Sequence, residues 1–191
     1  RYGGALEIES KAISRVNNAI FKGNSAQWGG AVALYGPEGK TATTYFNGCT
    51  FGGTEDGEGN HATTRGGAMY LEDESYANLV DCSLIGNHSV NNGGAICVEG
   101  WEKLCVFRSS FIGNYGASGG AIYTDSGTNG NYADLFIDEC SFDANYITDR
   151  WGTTMNINGI DHFCMHNSSI RGSYNTTNQS GDKASWVAMD V

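Results

Sequence analysis

Four aromatic residues in the middle of the chain have the side chains and the neighbours of a ligand-binding surface. Carboxylates flank them closely in the stretches EDESYAN, residues 72–78, and EGWEKL, residues 99–104. Aromatic rings offer flat apolar contact area, and carboxylates beside them accept hydrogen bonds from sugar hydroxyls or protein amides. We predict that a glycan or a protein binds there, and the alternative is that the rings pack against their own neighbours. The four residues are Tyr70, Tyr76, Trp101 and Tyr123.

Calcium is the only cofactor that the sequence suggests. The loop DGEGN spaces Asp56, Glu58 and Asn60 at positions i, i+2 and i+4, and their side chains carry the hard oxygen ligands that Ca²⁺ prefers. The loop lacks the distal bidentate carboxylate of an EF-hand. The main expectation is therefore a solvated acidic loop, with calcium binding as the alternative.

A second stretch, HFCMH, contains three residue types that bind transition metals. His162, Cys164 and His166 would lie on one face of a strand, where two of the three could chelate an ion. Residues four apart on a strand are too distant to share one ion. We therefore predict an outward-facing polar strand and no metal centre.

Composition limits the partners and the class of fold. The 191 residues carry a net charge of −10, which argues against nucleic acid or an anionic membrane as a partner. No apolar run approaches the length of a membrane span. Glycine occurs 28 times, yet 40% of the residues are hydrophobic, so the glycines must occupy defined backbone positions in a packed fold.

The chain repeats one phrase, Φ-x-G-N followed after a short gap by G-G-A-Φ, where Φ is an apolar residue. In the unit of residues 93–118, alternating apolar residues mark three short strands separated by turns. The other units fit the same pattern, and their additional residues fall at corners, chiefly in residues 35–44, 55–65 and 125–136. The units begin near Gly3, Gly29, Gly66, Gly93, Gly119 and Gly152, and a partial unit lies near residues 184–191.

This pattern predicts an all-β fold, a right-handed parallel β-helix with three sheets and about six coils, in one segment over residues 1–191. Asn24, Asn87, Asn114 and Asn145 fall in one column, where their amides could form a hydrogen-bonded ladder. The predicted inward columns are Leu6/Ile8, Val32/Leu34, Met69/Leu71, Ile96/Val98, Ile122/Thr124 and Met155/Ile157 for the first strand, Val16, Phe46, Leu79, Val106, Ile137 and Met165 for the second, and Phe21, Phe51, Leu84, Phe111, Phe142 and Ile170 for the third.

The corner insertions place the predicted binding surface on this scaffold. Solenoids bind partners through insertions on one face. The long corners at residues 35–44 and 125–136 flank two short corners, so they should frame a saddle roughly 14 Å wide, three coil spacings across. The four aromatic residues named above would lie in or beside this saddle.

Two pairs of cysteines fall close enough to form disulfides. Cys49 and Cys82 occupy the same inward column in adjacent coils, and Cys97 and Cys105 point outward on either side of one corner. Buried free thiols are the alternative for the first pair.

Enzymatic activity is not expected. Polysaccharide lyases and hydrolases that use a β-helix need convergent carboxylates, or a carboxylate with a basic residue, on one groove-facing sheet. The outward residues of the first strands, such as Tyr70, Cys97 and Tyr123, include no pair of acids, and we expect none on the other sheets. A non-catalytic module is predicted, with a carbohydrate-active enzyme as the alternative.

The repeated motifs resemble those of a known family. G-G-A-[I/L/V/M] occurs five times and F-x-x-N three times, as in the repeats of the chlamydial polymorphic outer membrane proteins and their relatives. The likeness covers residues 3–151 and is poor beyond them. It implies a right-handed β-helical segment of a large extracellular or cell-surface protein that acts in adhesion. No catalytic residues come with the family.

The two ends of the repeat array also allow a prediction. Nothing ahead of Leu6 and Ile8 covers the first strand, and Val187 and Met189 alternate like the start of another. Natural solenoids end in polar or bulky caps. We therefore expect a segment of a longer rod, or a subunit that associates end to end into a filament.

Overall fold

The computed structural model describes residues 2–100, 102–126, 132–149 and 152–176, together with the backbone of residues 188–189. Every regular element in these ranges is a β-strand, and the strands follow one another in sets of four. No helix long and apolar enough to cross a membrane occurs in the described ranges.

Each set of four strands makes one coil. The first set is β1 (Leu6–Glu9), β2 (Ile13–Asn17), β3 (Ile20–Phe21) and β4 (Ser25–Trp28). The second is β5 (Val32–Gly36), β6 (Ala42–Asn47), β7 (Thr50–Gly52) and β8 (His61–Arg65). The third is β9 (Met69–Asp73), β10 (Ser75–Val80), β11 (Ser83–Ile85) and β12 (His88–Ser89). The fourth is β13 (Ile96–Glu99), β14 (Lys103–Phe107), β15 (Ser110–Ile112) and β16 (Tyr115–Gly116). The fifth is β17 (Ile122–Asp125), β18 (Ala133–Asp138), β19 (Ser141–Asp143) and β20 (Tyr146–Ile147). The sixth is β21 (Met155–Ile157), β22 (Ile160–His166), β23 (Ser169–Arg171) and β24 (Tyr174–Asn175), and β25 (Ala188–Met189) follows.

Strands at the same place in successive sets pair in parallel, so the chain coils into a parallel β-solenoid, as the repeat predicts. Sheet 1 contains β1, β5, β9, β13, β17, β21 and β25. Sheet 2 runs from β2 to β22, sheet 3 from β3 to β23 and sheet 4 from β4 to β24, each taking one strand from every coil. The right-handed sense of the coil stays a prediction.

The structure has four sheets where the sequence predicts three. The strands of sheet 4 lie between the Gly-Asn turn and the Gly-Gly-Ala motif. The repeat pattern assigns no strand to these residues. Four of its strands are two residues long, such as His88–Ser89. Two residues are too few to show alternation of apolar and polar side chains, so the strand signal is absent there.

The predicted inward columns of the other three sheets form the core. Val32 pairs with Met69, and Met69 pairs with Ile96, so that apolar side chains stack along the solenoid axis. Phe51 and Phe111 are fully buried in sheet 3. The first coil is less covered, because its inward residues Val16 and Phe21 are only partly buried.

The Gly-Gly-Ala motif makes the corner that leads into sheet 1. Gly29 has φ of +64°, a left-handed conformation that glycine adopts without strain. Gly30 is in close contact with the next coil, since a Cβ atom there would lie 2.1 Å from the carbonyl oxygen of Gly67. The first glycine is therefore needed for the turn and the second for the close approach of the coils.

The predicted asparagine ladder forms, and it includes Asn60. From Asn60 onward, each ladder asparagine accepts at its Oδ1 the backbone N–H and the side-chain Nδ2–H of the asparagine in the preceding coil, at 2.8–3.1 Å. Asn60, Asn87, Asn114 and Asn145 are fully buried. The ladder therefore satisfies polar groups that the turn between sheets 3 and 4 would otherwise bury without partners.

Candidate ligand-binding site

A cleft of about 570 Å³ lies at the corner between sheets 1 and 2. Its walls come from five successive coils. The chain turns from sheet 1 to sheet 2 over long segments at β5–β6 and β17–β18, and over short segments at β9–β10 and β13–β14 between them. The cleft therefore occupies the place of the predicted saddle. Its lining residues are Thr41, Thr43, Glu74, Ser75, Tyr76, Glu102, Lys103, Tyr132, Asp134 and Asp161.

Two tyrosines contribute aromatic surface to this cleft. Tyr76 packs edge-on against Tyr45, with 5.9 Å between ring centroids, and its hydroxyl accepts a hydrogen bond from Asn78 Nδ2 at 3.1 Å. Burial raises the pKa of Tyr76 above its usual value. Tyr132 is 50% exposed, so its ring is available to a ligand. Tyr76 was predicted from the sequence and Tyr132 was missed, although Tyr132 lies in one of the long corner insertions.

Carboxylates surround the tyrosines. Glu74 accepts a hydrogen bond from the backbone N–H of Gly39 at 2.9 Å, which fixes it against the long corner of the previous coil. Asp134 Oδ1 lies 2.8 Å from His162 Nδ1 at the opposite wall. The ammonium of Lys103 lies 4.8 Å from the centroid of the Phe136 ring. This lysine is the only basic residue that lines the cleft among the described residues.

Glu102 differs from the other acids of the cleft because it is 2% exposed. It lies two residues before Leu104, on the side of the chain that faces the core. Neither of its carboxyl oxygens has a hydrogen-bond partner in another described residue. Burial raises its pKa to about 10, and its own backbone N–H offsets only part of that effect. Glu102 is therefore protonated and neutral at pH 7.

Tyr70 and Tyr123 lie on the outer face of sheet 1 and do not line the cleft. They flank Cys97 in register, and both Tyr70 and Cys97 are buried. The hydroxyl of Tyr70 donates a short hydrogen bond to Glu99, which also forms an ion pair with Arg65. Of the four predicted aromatic residues, only Tyr76 lines the cleft among the described residues. Trp101 lies outside the described residues.

The outer face of sheet 1 carries neighbouring acids, contrary to the expectation that no sheet would. Glu72, Glu99 and Asp125 pair in register on consecutive coils, one position beyond the buried residues Leu71, Val98 and Thr124. The strands predicted from the alternating pattern end one residue too early to include these acids. Burial raises the pKa of Glu72, whose Oε2 has no hydrogen-bond partner among the described residues.

The repeat has a match among known protein families. Two segments, residues 81–99 and 108–125, match the profile of the Chlamydia polymorphic membrane protein repeat. These two segments of the chain therefore resemble that repeat. No curated protein and no solved structure matches the chain.

The two matched segments correspond to one path through the solenoid. Each begins at the corner after sheet 2, passes through sheets 3 and 4 with the ladder asparagine between them, and ends in sheet 1 after Gly-Gly-Ala. The family repeat therefore corresponds to the strands of sheets 3, 4 and 1 and the turns between them. The cleft lies at the corner between sheets 1 and 2, where the matched segments stop. The polymorphic membrane protein repeat is typical of proteins at the outer membrane or cell surface.

The fold places the three predicted calcium ligands in different environments. Asn60 is buried in the asparagine ladder, where its Oδ1 accepts both hydrogen bonds from Asn24. Glu58 forms an ion pair with Lys22 at 2.8 Å, which lowers the pKa of the carboxyl. Asp56 is exposed. Calcium binding at this loop stays the alternative to a solvated acidic loop, and Asn60 is not available as a ligand because its amide belongs to the ladder.

The six cysteines are free thiols in the structure, so neither predicted disulfide, Cys49–Cys82 nor Cys97–Cys105, is formed. Cys49 and Cys82 do lie in adjacent coils. Each donates weak hydrogen bonds to backbone carbonyls, such as Cys82 Sγ to the oxygen of Val80 at 3.3 Å. Burial raises the pKa of Cys82 to about 11, which makes it an unreactive thiol.

The HFCMH segment forms part of β22, as predicted. Cys164 Sγ lies 3.4 Å from His166 Nε2, while His162 pairs with Asp134 instead. In the described part of the chain, no group of three or more His, Cys, Asp or Glu residues converges to hold a metal ion.

An aromatic stack lies on the outside of sheet 4 and was not predicted from the sequence. Successive ring centroids are 4.0–4.7 Å apart. Burial lowers the pKa of His88 to about 4, so this imidazole is neutral at pH 7. The stack could have been predicted from the sequence, because each of its aromatic residues directly follows a residue in the column of the asparagine ladder. The members are His61, His88, Tyr115, Tyr146 and Tyr174.

Proposed function

We propose that the chain is a non-catalytic module of a cell-surface protein that acts in adhesion, and that its cleft binds a glycan. The polymorphic membrane protein repeat supports the surface location, because its family consists of membrane proteins. The solenoid supports an adhesive role, because stacked coils present an extended surface whose corner insertions vary independently of the core.

The cleft is the observation that carries the proposal. Its volume of about 570 Å³ lies within the range of small-ligand sites. Tyr76 and Tyr132 offer apolar ring surface, while Thr41, Thr43 and Glu74 offer hydroxyl and carboxylate oxygens. This mixture suits a sugar, which presents apolar C–H faces and a rim of hydroxyl groups.

Binding to a glycan array tests the proposal. The labelled chain should bind a restricted set of glycans, and Tyr76→Ala or Tyr132→Ala should weaken that binding at least about tenfold, the effect of losing one stacked ring. Tyr174→Ala on sheet 4 is the matched control and should bind normally. Binding that both cleft variants retain would place the ligand elsewhere, and an array without any bound glycan would refute the glycan-binding function.

A carbohydrate-active enzyme is the second candidate, and the acids of sheet 1 favour it. Glu72 has a raised pKa, whereas its neighbour Glu99 is paired with Arg65. Two carboxyl groups with different environments are what glycoside hydrolysis requires of its acid and its base. Incubation with a panel of polysaccharides in the presence of calcium, followed by an assay for new reducing ends or unsaturated products, tests this. Products that disappear in Glu72→Gln would establish the enzyme and refute the non-catalytic function.

A further inference from the structure

The cleft follows the axis of the solenoid. Four of its lining residues pair in register on consecutive strands, one each from β6, β10, β14 and β18. Each lies one position before a fully buried residue of its strand, so its side chain faces outward, and each is at least partly exposed. Three strand spacings of about 4.8 Å make this row roughly 14 Å long. The residues of the row are Thr43, Tyr76, Lys103 and Asp134.

The two aromatic rings of the cleft belong to coils that are two apart. Tyr76 lies in the third coil, and Tyr132 immediately precedes β18 in the fifth. In an extended β-1,4-linked glycan one sugar is close to one strand spacing in length, and each sugar is turned over relative to the one before. The same apolar face therefore recurs at every second sugar. Two strand spacings, roughly 10 Å, let the first and third sugars of such a chain stack on the two rings.

The charges of the cleft favour a neutral chain. Carboxylates of Glu74, Asp134 and Asp161 line it, and the ammonium of Lys103 lies over the ring of Phe136. A chain of uronic acids or sulfated sugars would bring negative charges past these carboxylates, in a protein whose net charge is −10. Neutral sugar hydroxyls can instead donate hydrogen bonds to the carboxylates and accept them from the lysine.

We propose that the cleft binds a linear, neutral, β-1,4-linked glycan that runs parallel to the solenoid axis, with one sugar to each coil. The inference rests on the glycan-binding function proposed above and specifies the class of glycan. Equatorial bonds at both ends of each sugar keep such a chain extended along the row of lining residues. An α-1,4-linked chain curves, so it reaches only one of the two rings.

Calorimetry with short oligosaccharides tests the inference. Four neutral β-1,4-linked trimers, of glucose, mannose, xylose and N-acetylglucosamine, are compared with the α-1,4-linked trimer of glucose. At least one β-1,4-linked trimer should bind at least about tenfold more tightly than the α-1,4-linked trimer, the effect of one further contact between a sugar and a ring. The dimer of the same sugar should bind at least about tenfold more weakly than its trimer, because two sugars reach only one ring.

A variant of the second ring tests the spacing. In Tyr132→Ala the trimer should bind no more tightly than the dimer, whereas the affinity for the dimer should change less than about threefold, because the dimer can still stack on Tyr76. Tyr174→Ala, on the outside of sheet 4, is the matched control and should keep the wild-type ratio between trimer and dimer.

The other outcomes decide against the inference in distinct ways. Equal affinity for dimer and trimer, or for α- and β-linked trimers, would overturn the axial chain and leave the glycan-binding function standing. The same holds if the array shows bound glycans, such as branched or anionic ones, and none of the four trimers binds. If Tyr132→Ala weakens dimer and trimer equally, the two rings do not contact separate sugars, which contradicts one sugar to each coil. An array without any bound glycan would refute the proposed function itself.

Discussion

Glu102 places a carboxyl group in a column of small and apolar residues. By register, its neighbours along the solenoid are Ala42, Ser75, Ala133 and Ile160. An ionised carboxylate there would have lost its water and gained only its own backbone N–H as a donor, which is why burial raises its pKa to about 10. In the unfolded chain the same group ionises near its ordinary value, so folding and protonation are linked.

The linkage predicts how stability depends on pH. Because the folded pKa is raised, the folded state binds one more proton than the unfolded state between about pH 4.5 and pH 10, and stability falls as pH rises through that window. Glu102→Gln removes the titration. Relative to wild type, the free energy of unfolding of this variant should rise by roughly 5 kcal/mol between pH 4 and pH 8, about 1.4 kcal/mol for each pH unit above the ordinary pKa. Urea denaturation at the two pH values measures the change.

Glu74→Gln is the control for that experiment, since it removes an acid from the same cleft that has no comparable burial. Its stability should follow that of wild type at both pH values to within about 0.5 kcal/mol. If Glu102→Gln and wild type keep the same difference in stability at pH 4 and pH 8, the buried carboxyl does not titrate as described.

At the scale of elements, the turns explain what the sequence could predict. The Gly-Gly and Gly-Asn turns recur beside the apolar residues and so define the register of sheets 1, 2 and 3. For this reason the column that contains Phe51, Leu84 and Phe111 was predicted correctly. Sheet 4 has strands too short to show alternation. The aromatic residues on its outer face can be recognised in the sequence only by comparing, from coil to coil, the residue that follows each position of the asparagine ladder.

The candidate site was predictable only in part, for a related reason. Corner lengths in the sequence locate the cleft and Tyr76. The alternation within β9 places Tyr70 on the outer face of sheet 1, but it does not show that Glu99 and Arg65 engage that face. The protonated state of Glu102 depends on the coils above and below it, and such contacts cannot be derived from spacing along one chain segment.

The asparagine ladder should contribute strongly to stability at its buried positions. Asn114 accepts two hydrogen bonds from Asn87 and donates to the carbonyl oxygen of Leu84 and to Asn145. Asn114→Ala leaves these groups unpaired inside the protein, and we expect it to lower the free energy of unfolding by about 3 kcal/mol. Urea denaturation at pH 7 measures the loss.

Asn24→Ala provides the comparison, because Asn24 is partly exposed and donates to Asn60 alone within the ladder. Removing it should cost about 1 kcal/mol. If both variants lose the same free energy of unfolding, the contribution of a ladder asparagine does not depend on its burial or its position in the ladder.

Over the whole molecule, burial changes from coil to coil. The inward residues of the second to fifth coils, such as Leu34, Leu79 and Phe142, are at most about 2% exposed, whereas Val16 and Phe21 in the first coil are only partly buried. Each coil contacts only the coils beside it, so its stability is the sum of its own contacts and those of two interfaces. Within the described residues, β2 and β3 pair on one side only.

Hydrogen exchange should reveal this gradient. A chain of nearest-neighbour units opens from its least stable units, so the backbone amides of β2 and β3 should exchange at least about 100-fold faster than those of β10 and β11, whose coil has neighbours on both sides. Exchange followed by mass spectrometry at pH 7 measures the ratio.

Leu84→Ala, in the third coil, should accelerate exchange in β10 and β11 with little effect on β2, because the cavity it creates weakens only the adjoining interfaces. Equal protection in all coils would instead show that the solenoid unfolds as one cooperative unit.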